Sequence, residues 1–115
     1  MKFQMKNKLI KKPWGSEELL ELNKKYCLKK LFMKKGHRCS LQYHRKKVET
    51  IYVIKGNLTI ELNKKKILLK PNQSITISVR QIHRMSANKT DVLYLESSSP
   101  ELNDVVRIED DFGRN

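Results

Sequence analysis

The sequence predicts an all-β fold, a single-domain sandwich or barrel, and three observations predict it. Apolar or alternating runs of strand length recur along the chain, turn-forming residues separate them, and 115 residues suffice for one hydrophobic core. No internal repeat, low-complexity segment or glycine-rich phosphate loop interrupts the pattern, since Gly15, Gly36, Gly56 and Gly113 are isolated.

The elements are justified in chain order. Residues 1–25 read as an N-terminal arm in which 16–23 suits a helix capped by Ser16 on propensity, or a strand if tertiary pairing decides. Strands are then expected over 26–33 and 39–43, parted by Lys35-Gly36, and over 49–55 and 58–62, parted by Gly56-Asn57. Asn63-Lys64 precedes a run at 66–69, Pro71-Asn72 precedes 74–77, and Asn88-Lys89 divides 84–86 from 92–96. Glycine and asparagine supply the positive φ that tight turns need and proline presets a negative one, so each break has a mechanism. The barrel therefore covers 26–96, and 97–115 is a C-terminal segment. Strand alternation nominates Leu41, Ile51, Val53, Leu58, Ile60, Leu68, Ile75, Ile77, Val92 and Leu93 as the core.

Composition excludes several classes. The formal charge is +13 and the isoelectric point is near 9.9, but 19 of the 25 basic residues are lysines scattered in pairs and triplets such as Lys64-Lys65-Lys66. That is the look of solvated strand faces, and no helix-turn-helix, RNP-like or zinc-finger pattern accompanies it, so no nucleic acid partner is expected. Ile51-Tyr52-Val53-Ile54 is far too short to cross a bilayer, and the Lys-rich start lacks the apolar stretch of a secretory signal, so the expectation is no membrane and a cytoplasmic protein. Cys27 and Cys39 have no CxxC partner and read as buried free thiols. A small domain buries a modest share of its surface, so a homodimer would add to its stability.

The chemistry concentrates in Ser40-Leu41-Gln42-Tyr43-His44-Arg45-Lys46-Lys47-Val48-Glu49. Side chains alternate along a strand, which puts Gln42 and His44 on one side, and a turn at Arg45-Lys46-Lys47 can return Glu49 beside them. His83 follows a later strand run. Two imidazoles, a carboxylate and an amide oxygen form a credible open site for one divalent metal, zinc in the first place, with manganese, iron or cobalt as the alternatives. A polar strand face is the competing account of a Gln-x-His pair.

Gly36 before this cluster, its Gln42, His44 and Glu49, and Gly56 after it resemble the first signature of the cupin superfamily. Ser78-Val79-Arg80-Gln81-Ile82-His83 resembles the second, Pro-x-Gly-x-x-His, without its Pro and Gly. Within the superfamily the chain is similar to phosphomannose isomerases, particularly the cupin domain found alone or fused behind a mannose-1-phosphate guanylyltransferase. Lys12-Pro13-Trp14-Gly15, Ser40-Leu41-Gln42-Tyr43-His44, Lys70-Pro71-Asn72 and Arg107-Ile108-Glu109-Asp110-Asp111-Phe112-Gly113-Arg114 carry the likeness in the right order. Lys47 and Ile51 stand where that family usually has arginine and tryptophan.

The resemblance implies a double-stranded β-helix, or jelly-roll barrel, and a strand at 16–23. It also implies a metal-dependent interconversion of mannose 6-phosphate and fructose 6-phosphate, with the metal stabilising a developing enediolate. A small anionic sugar phosphate is then the substrate, and the positive field favours it. Lys47 is the candidate base, its pKa lowered near the metal, or else a solvated turn lysine. Ser40, Arg107 and Arg114 are candidate substrate contacts, or else strand polarity and salt-bridged structure. His37 reads as a turn residue and Trp14 as a core plug. The other functional class is a noncatalytic or differently catalytic cupin that binds a sugar, a nucleotide sugar or another small acid.

Overall fold

The computed structural model describes residues 7–114; part of the Lys-rich start weighed against a secretory signal falls on 1–6, outside that range. The described chain is all strand and turn: β1 (Lys8–Lys12), β2 (Gly15–Leu22), β3 (Cys27–Met33), β4 (His37–Arg38), β5 (Leu41–Tyr43), β6 (Glu49–Lys55), β7 (Leu58–Leu62), β8 (Lys65–Leu69), β9 (Ser74–Ile77), β10 (His83–Ala87), β11 (Val92–Ser98) and β12 (Val106–Glu109). No helix among them is long and apolar enough to cross a membrane.

Two six-stranded antiparallel sheets face each other. One runs β1-β2-β3-β11-β6-β9; the other runs β12-β5-β10-β7-β8, with β4 also pairing β10. Non-consecutive neighbours such as β3-β11-β6 are the crossovers of a double-stranded β-helix.

The helical reading of 16–23 is not realised. Its residues pair with β3, Glu17 opposite Leu31 and Glu18 opposite Lys30, so tertiary pairing overrides local propensity. Gly15 is needed at this entry because a Cβ there would stand 1.9 Å from the Phe32 carbonyl oxygen. At the end of β6, Gly56 has φ +84° and a Cβ would meet the Asp91 carbonyl oxygen at 2.1 Å. Asn63 and Lys64 both take positive φ, 48° and 70°, which is the turn that lets a two-residue loop join β7 to β8.

The core lies between the sheets. Ile51, Val53, Leu58, Ile60, Ile77 and Val92 are fully buried there, as alternation predicts. Leu68 and Leu93 are corrected to their neighbours. Leu68 is 45% exposed opposite Thr59, while Leu69 points inward opposite Leu58, and Tyr94 rather than Leu93 is buried. A Leu-Leu or Leu-Tyr pair offers both parities as apolar, so pattern alone does not choose. Leu41 and Ile75 are only partly buried. Trp14, Leu31, Met33, Met85, Ala87 and the free thiols Cys27 and Cys39 complete the buried apolar set.

Candidate active site

The barrel interior is built around the reversal between β5 and β6. His44 follows β5 and Glu49 opens β6; the turn between them is held by Asp104, whose carboxylate accepts from the backbone N–H groups of Arg45, Lys46 and Lys47 at 3.1, 2.6 and 2.9 Å. These bonds, from Lys46 above all, hold the Asp104 carboxyl at about 2, below the ordinary carboxylate range. Nothing in the sequence near residue 104 pointed to this role.

The second imidazole arrives on β10, where His83 pairs directly with Gln42 of β5 on one side and Leu62 of β7 on the other. The turn before it forms without the Pro and Gly of the resembled signature. Arg80, at the glycine's place, takes φ +62°, and Gln81 closes the turn by accepting from the Ser78 N–H through Oε1 at 2.8 Å.

His44, Glu49 and His83 are buried, and their ligand-type atoms all lie within 4.8 Å of one another. Glu49 Oε1 stands 3.1 Å from His44 Nε2 and 3.0 Å from His83 Nε2. The Nδ1 of His44 donates to the Asp104 carbonyl, and that of His83 donates to the Gln81 carbonyl at 2.8 Å. Because a carbonyl only accepts, each neutral ring must turn an unprotonated Nε2 toward the carboxylate. Lone pairs from three residues then converge, and His83 Nε2 makes no hydrogen bond among the described residues despite its short approach to Glu49. Such a donor set, with carbonyls fixing both tautomers, fits a divalent cation of the borderline class. Burial opposes ionisation of Glu49, but its hydrogen bonds and the nearby Lys47 ammonium outweigh it and hold the carboxyl well below the ordinary range.

Gln42 sits beside this cluster without matching it in form. Its Oε1 accepts a hydrogen bond from the buried Ser40 hydroxyl, which makes Ser40 an orienting neighbour of Gln42. Gln42, His44, Lys47 and Arg107 all line one cavity of about 110 Å³ that opens to solvent.

Lys47 is buried, not a solvated turn residue, and its Nζ lies 3.7 Å from both Glu49 Oε2 and Glu96 Oε2. Burial pulls its ammonium down, but Glu96 and Glu49 outweigh burial and hold it above its ordinary value. Glu96, on β11, was not identified from the sequence, where it reads as the polar end of a strand. Burial first, and then the charge of Glu49, push its carboxyl up to about 8.

Arg107 pairs across β12 with Gln42, which in turn pairs with His83, so the three occupy one row of the sheet. Arg107 Nε is buried without a hydrogen-bond partner among the described residues. Arg114 also lines the cavity, but its fork is engaged by Asp110 at 2.9 and 3.0 Å. His37 begins β4 just past the turn at Gly36, with Nδ1 3.2 Å from the Lys35 carbonyl, away from the cluster. Trp14 is buried in the core and lines the cavity wall.

Two facing antiparallel sheets wound as a double-stranded β-helix, with a His-Glu-His cluster inside, define a cupin. An RmlC-like cupin from Shewanella frigidimarina superposes with a TM-score of 0.77 at 16% identity, covering 89% of this chain and 91% of that one. The chain belongs to the mannose-6-phosphate isomerase C-terminal family, whose description matches residues 2–110. It is 30% identical over 109 residues both to alginate biosynthesis protein AlgA of Pseudomonas aeruginosa and to mannose-1-phosphate guanylyltransferase ManC of Salmonella typhimurium. Each match covers 91% of this chain and 23% of the relative, so the chain spans less than a quarter of those proteins.

Proposed function

We propose that this chain is a divalent-metal-dependent isomerase domain that interconverts mannose 6-phosphate and fructose 6-phosphate. The observation that carries the reading is the convergence of His44 Nε2 and His83 Nε2 on one Glu49 oxygen at 3.1 and 3.0 Å, beside a solvent-open cavity that His44 and Gln42 line. His44, Glu49 and His83 would hold the cation, with Gln42 beside them, in a cytoplasmic enzyme that takes a small anionic sugar phosphate. When bound, zinc, manganese, iron or cobalt would supply Lewis-acid polarisation of the sugar's C1 and C2 oxygens.

The remaining work falls to side chains. An aldose–ketose exchange moves a proton between adjacent carbons, and the residues placed to hold and return it are Lys47 and Glu96, a buried pair 3.7 Å apart at the edge of the cluster. The cavity, at about 110 Å³, is smaller than the roughly 150 Å³ that admits a benzene. It therefore suits the reacting end of an open-chain sugar, with the anionic end toward the partly exposed rim. Arg107 stands on that side, two strands or about 10 Å from His83, with an unpaired Nε to offer.

The test is a coupled assay of metal-loaded protein with mannose 6-phosphate beside a panel of other sugar phosphates. Turnover of mannose 6-phosphate supports the proposal. No turnover of any sugar phosphate with zinc, manganese, iron or cobalt supplied would leave the domain as a binding cupin.

A further inference from the structure

Tyr94 carries a chemical group that neither the cluster nor the proton-moving pair uses. It lies on the inward face of β11, opposite Leu31 of β3 and Val53 of β6, and is fully buried. Its hydroxyl has no hydrogen-bond partner among the described residues. The side chain lines the same cavity as His44, Gln42, Lys47 and Arg107.

A buried tyrosine ordinarily finds a partner for its O–H, because an unmet donor forfeits its hydration with no return. Phenylalanine would fill this position with the same ring and none of that cost. The orphan hydroxyl therefore has a hydrogen bond to offer into the cavity, and its compensation has to come from what occupies that space. Burial first, and then the neighbouring acidic groups Cys39, Glu96 and Glu49, hold the phenol well above its ordinary pKa, so it remains a donor.

We infer that Tyr94 is a substrate-binding and specificity-determining residue, whose hydroxyl donates to a hydroxyl or carbonyl oxygen of the sugar chain held between the His44–Glu49–His83 cluster and Arg107. The inference rests on the sugar-phosphate reading of the cavity. Its ligand is an oxygen acceptor on the carbon chain, distinct from the anionic end that Arg107 addresses. A site built around such a donor rejects analogues that lack the matching oxygen, since they leave the donor unmet.

The experiment compares wild type with Tyr94→Phe in the metal-loaded protein, using mannose 6-phosphate and its monodeoxy analogues. Tyr52→Phe serves as control, because the Tyr52 hydroxyl is bound to Asn72 Oδ1 at 2.9 Å on the outer face. Expected for Tyr94→Phe are a Tm without ligand equal to or above wild type and a roughly 10- to 100-fold weaker affinity for mannose 6-phosphate. One monodeoxy analogue that wild type discriminates against should bind the variant as well as the parent sugar does. A lower Tm in the ligand-free variant assigns the hydroxyl to the fold and overturns the inference, as does an affinity equal to wild type. If wild type itself shows neither binding nor turnover of mannose 6-phosphate or fructose 6-phosphate, the sugar-phosphate reading falls and takes this inference with it. Binding by wild type with unchanged Tyr94→Phe sinks the role of Tyr94 alone.

Discussion

The Arg80 N–H donates to the His44 carbonyl at 2.7 Å, tying the turn that presents His83 to the backbone that carries the other imidazole. Arg80 does this at φ +62°, in the left-handed region where glycine costs least and a side chain costs roughly 1–2 kcal/mol. Glycine stands at this place in the resembled signature. Arg80→Gly should therefore relieve strain, offset in part by the roughly 0.5–1 kcal/mol of extra chain entropy that glycine loses on folding. The expected outcome is a gain of up to about 1 kcal/mol in denaturant unfolding, with metal content unchanged. A clear loss of stability would show that the arginine side chain contributes something the turn geometry does not reveal.

Metal retention should follow the cluster. His44→Ala and His83→Ala are expected to lose the cation, His37→Ala to keep it, and Gln42→Ala to weaken it least, since its oxygen is shared with Ser40. Elemental analysis of the purified variants checks this. In wild type, zinc at 100 times its dissociation constant should stabilise the fold by about 2.7 kcal/mol, and a chelator should reverse the gain. Equal metal content in all four variants would remove the assignment.

Acid should loosen the turn between the two sheets before it unfolds the core. The Asp104 carboxyl sits at about 2, against about 3.9 for a free aspartate, because it accepts three backbone N–H bonds. A folded pKa below the unfolded one contributes stability that is full above about pH 4 and disappears as pH falls toward 2. Asp104→Ala should thus melt below wild type at pH 7, and the gap should close between pH 4 and pH 2. A gap that persists at pH 2 would place the effect in packing, not charge.

How much of this was legible in the sequence depends on whether a residue's neighbours lie along the chain or across it. His44 and Glu49 flank one turn, and strand alternation was enough to aim them together; His83 was added because it follows a later strand run and stands where the resembled second signature carries its histidine. Glu96, Tyr94 and Asp104 gave no such signal. Each acquires its role from partners on other strands or loops: Glu96 from Lys47, Tyr94 from the cavity it lines, Asp104 from the backbone of residues 45–47. The core shows the same division. Ile51, Val53, Leu58 and Ile60 alternate with polar or exposed residues and were placed correctly, whereas the adjacent pairs Leu68-Leu69 and Leu93-Tyr94 needed the cross-strand register.

That register can be tested in stability. Ile77 is fully buried opposite Glu49, so Ile77→Ala should cost about 2–5 kcal/mol in chemical denaturation. Leu68→Ala, at a half-exposed position, should change stability by no more than about 0.5 kcal/mol. Similar losses in both would mean the β8 parity is wrong.

On the proposed function, substrate recognition should separate the basic residues of the cavity from the diffuse lysine surface. Arg107 Nε is buried and unpaired beside Gln42, while the Arg114 fork is held by Asp110, and Lys65 is exposed at the start of β8. Hydrogen bonds to charged groups contribute about 1.5–3 kcal/mol, so Arg107→Ala should raise the apparent KM for mannose 6-phosphate roughly 10- to 100-fold. Arg114→Ala should raise it less, since its guanidinium is already engaged, and Lys65→Ala should leave it unchanged because exposed charges are screened within about 8–10 Å at physiological salt. If Lys47 moves the proton as proposed, Lys47→Ala should instead lower kcat, by a factor of at least about 100. Steady-state kinetics of the four variants at two salt concentrations decide the matter. Equal losses of affinity for Arg107→Ala and Lys65→Ala would assign substrate attraction to the overall field of the protein, and an unchanged kcat for Lys47→Ala would take the lysine out of the proton transfer.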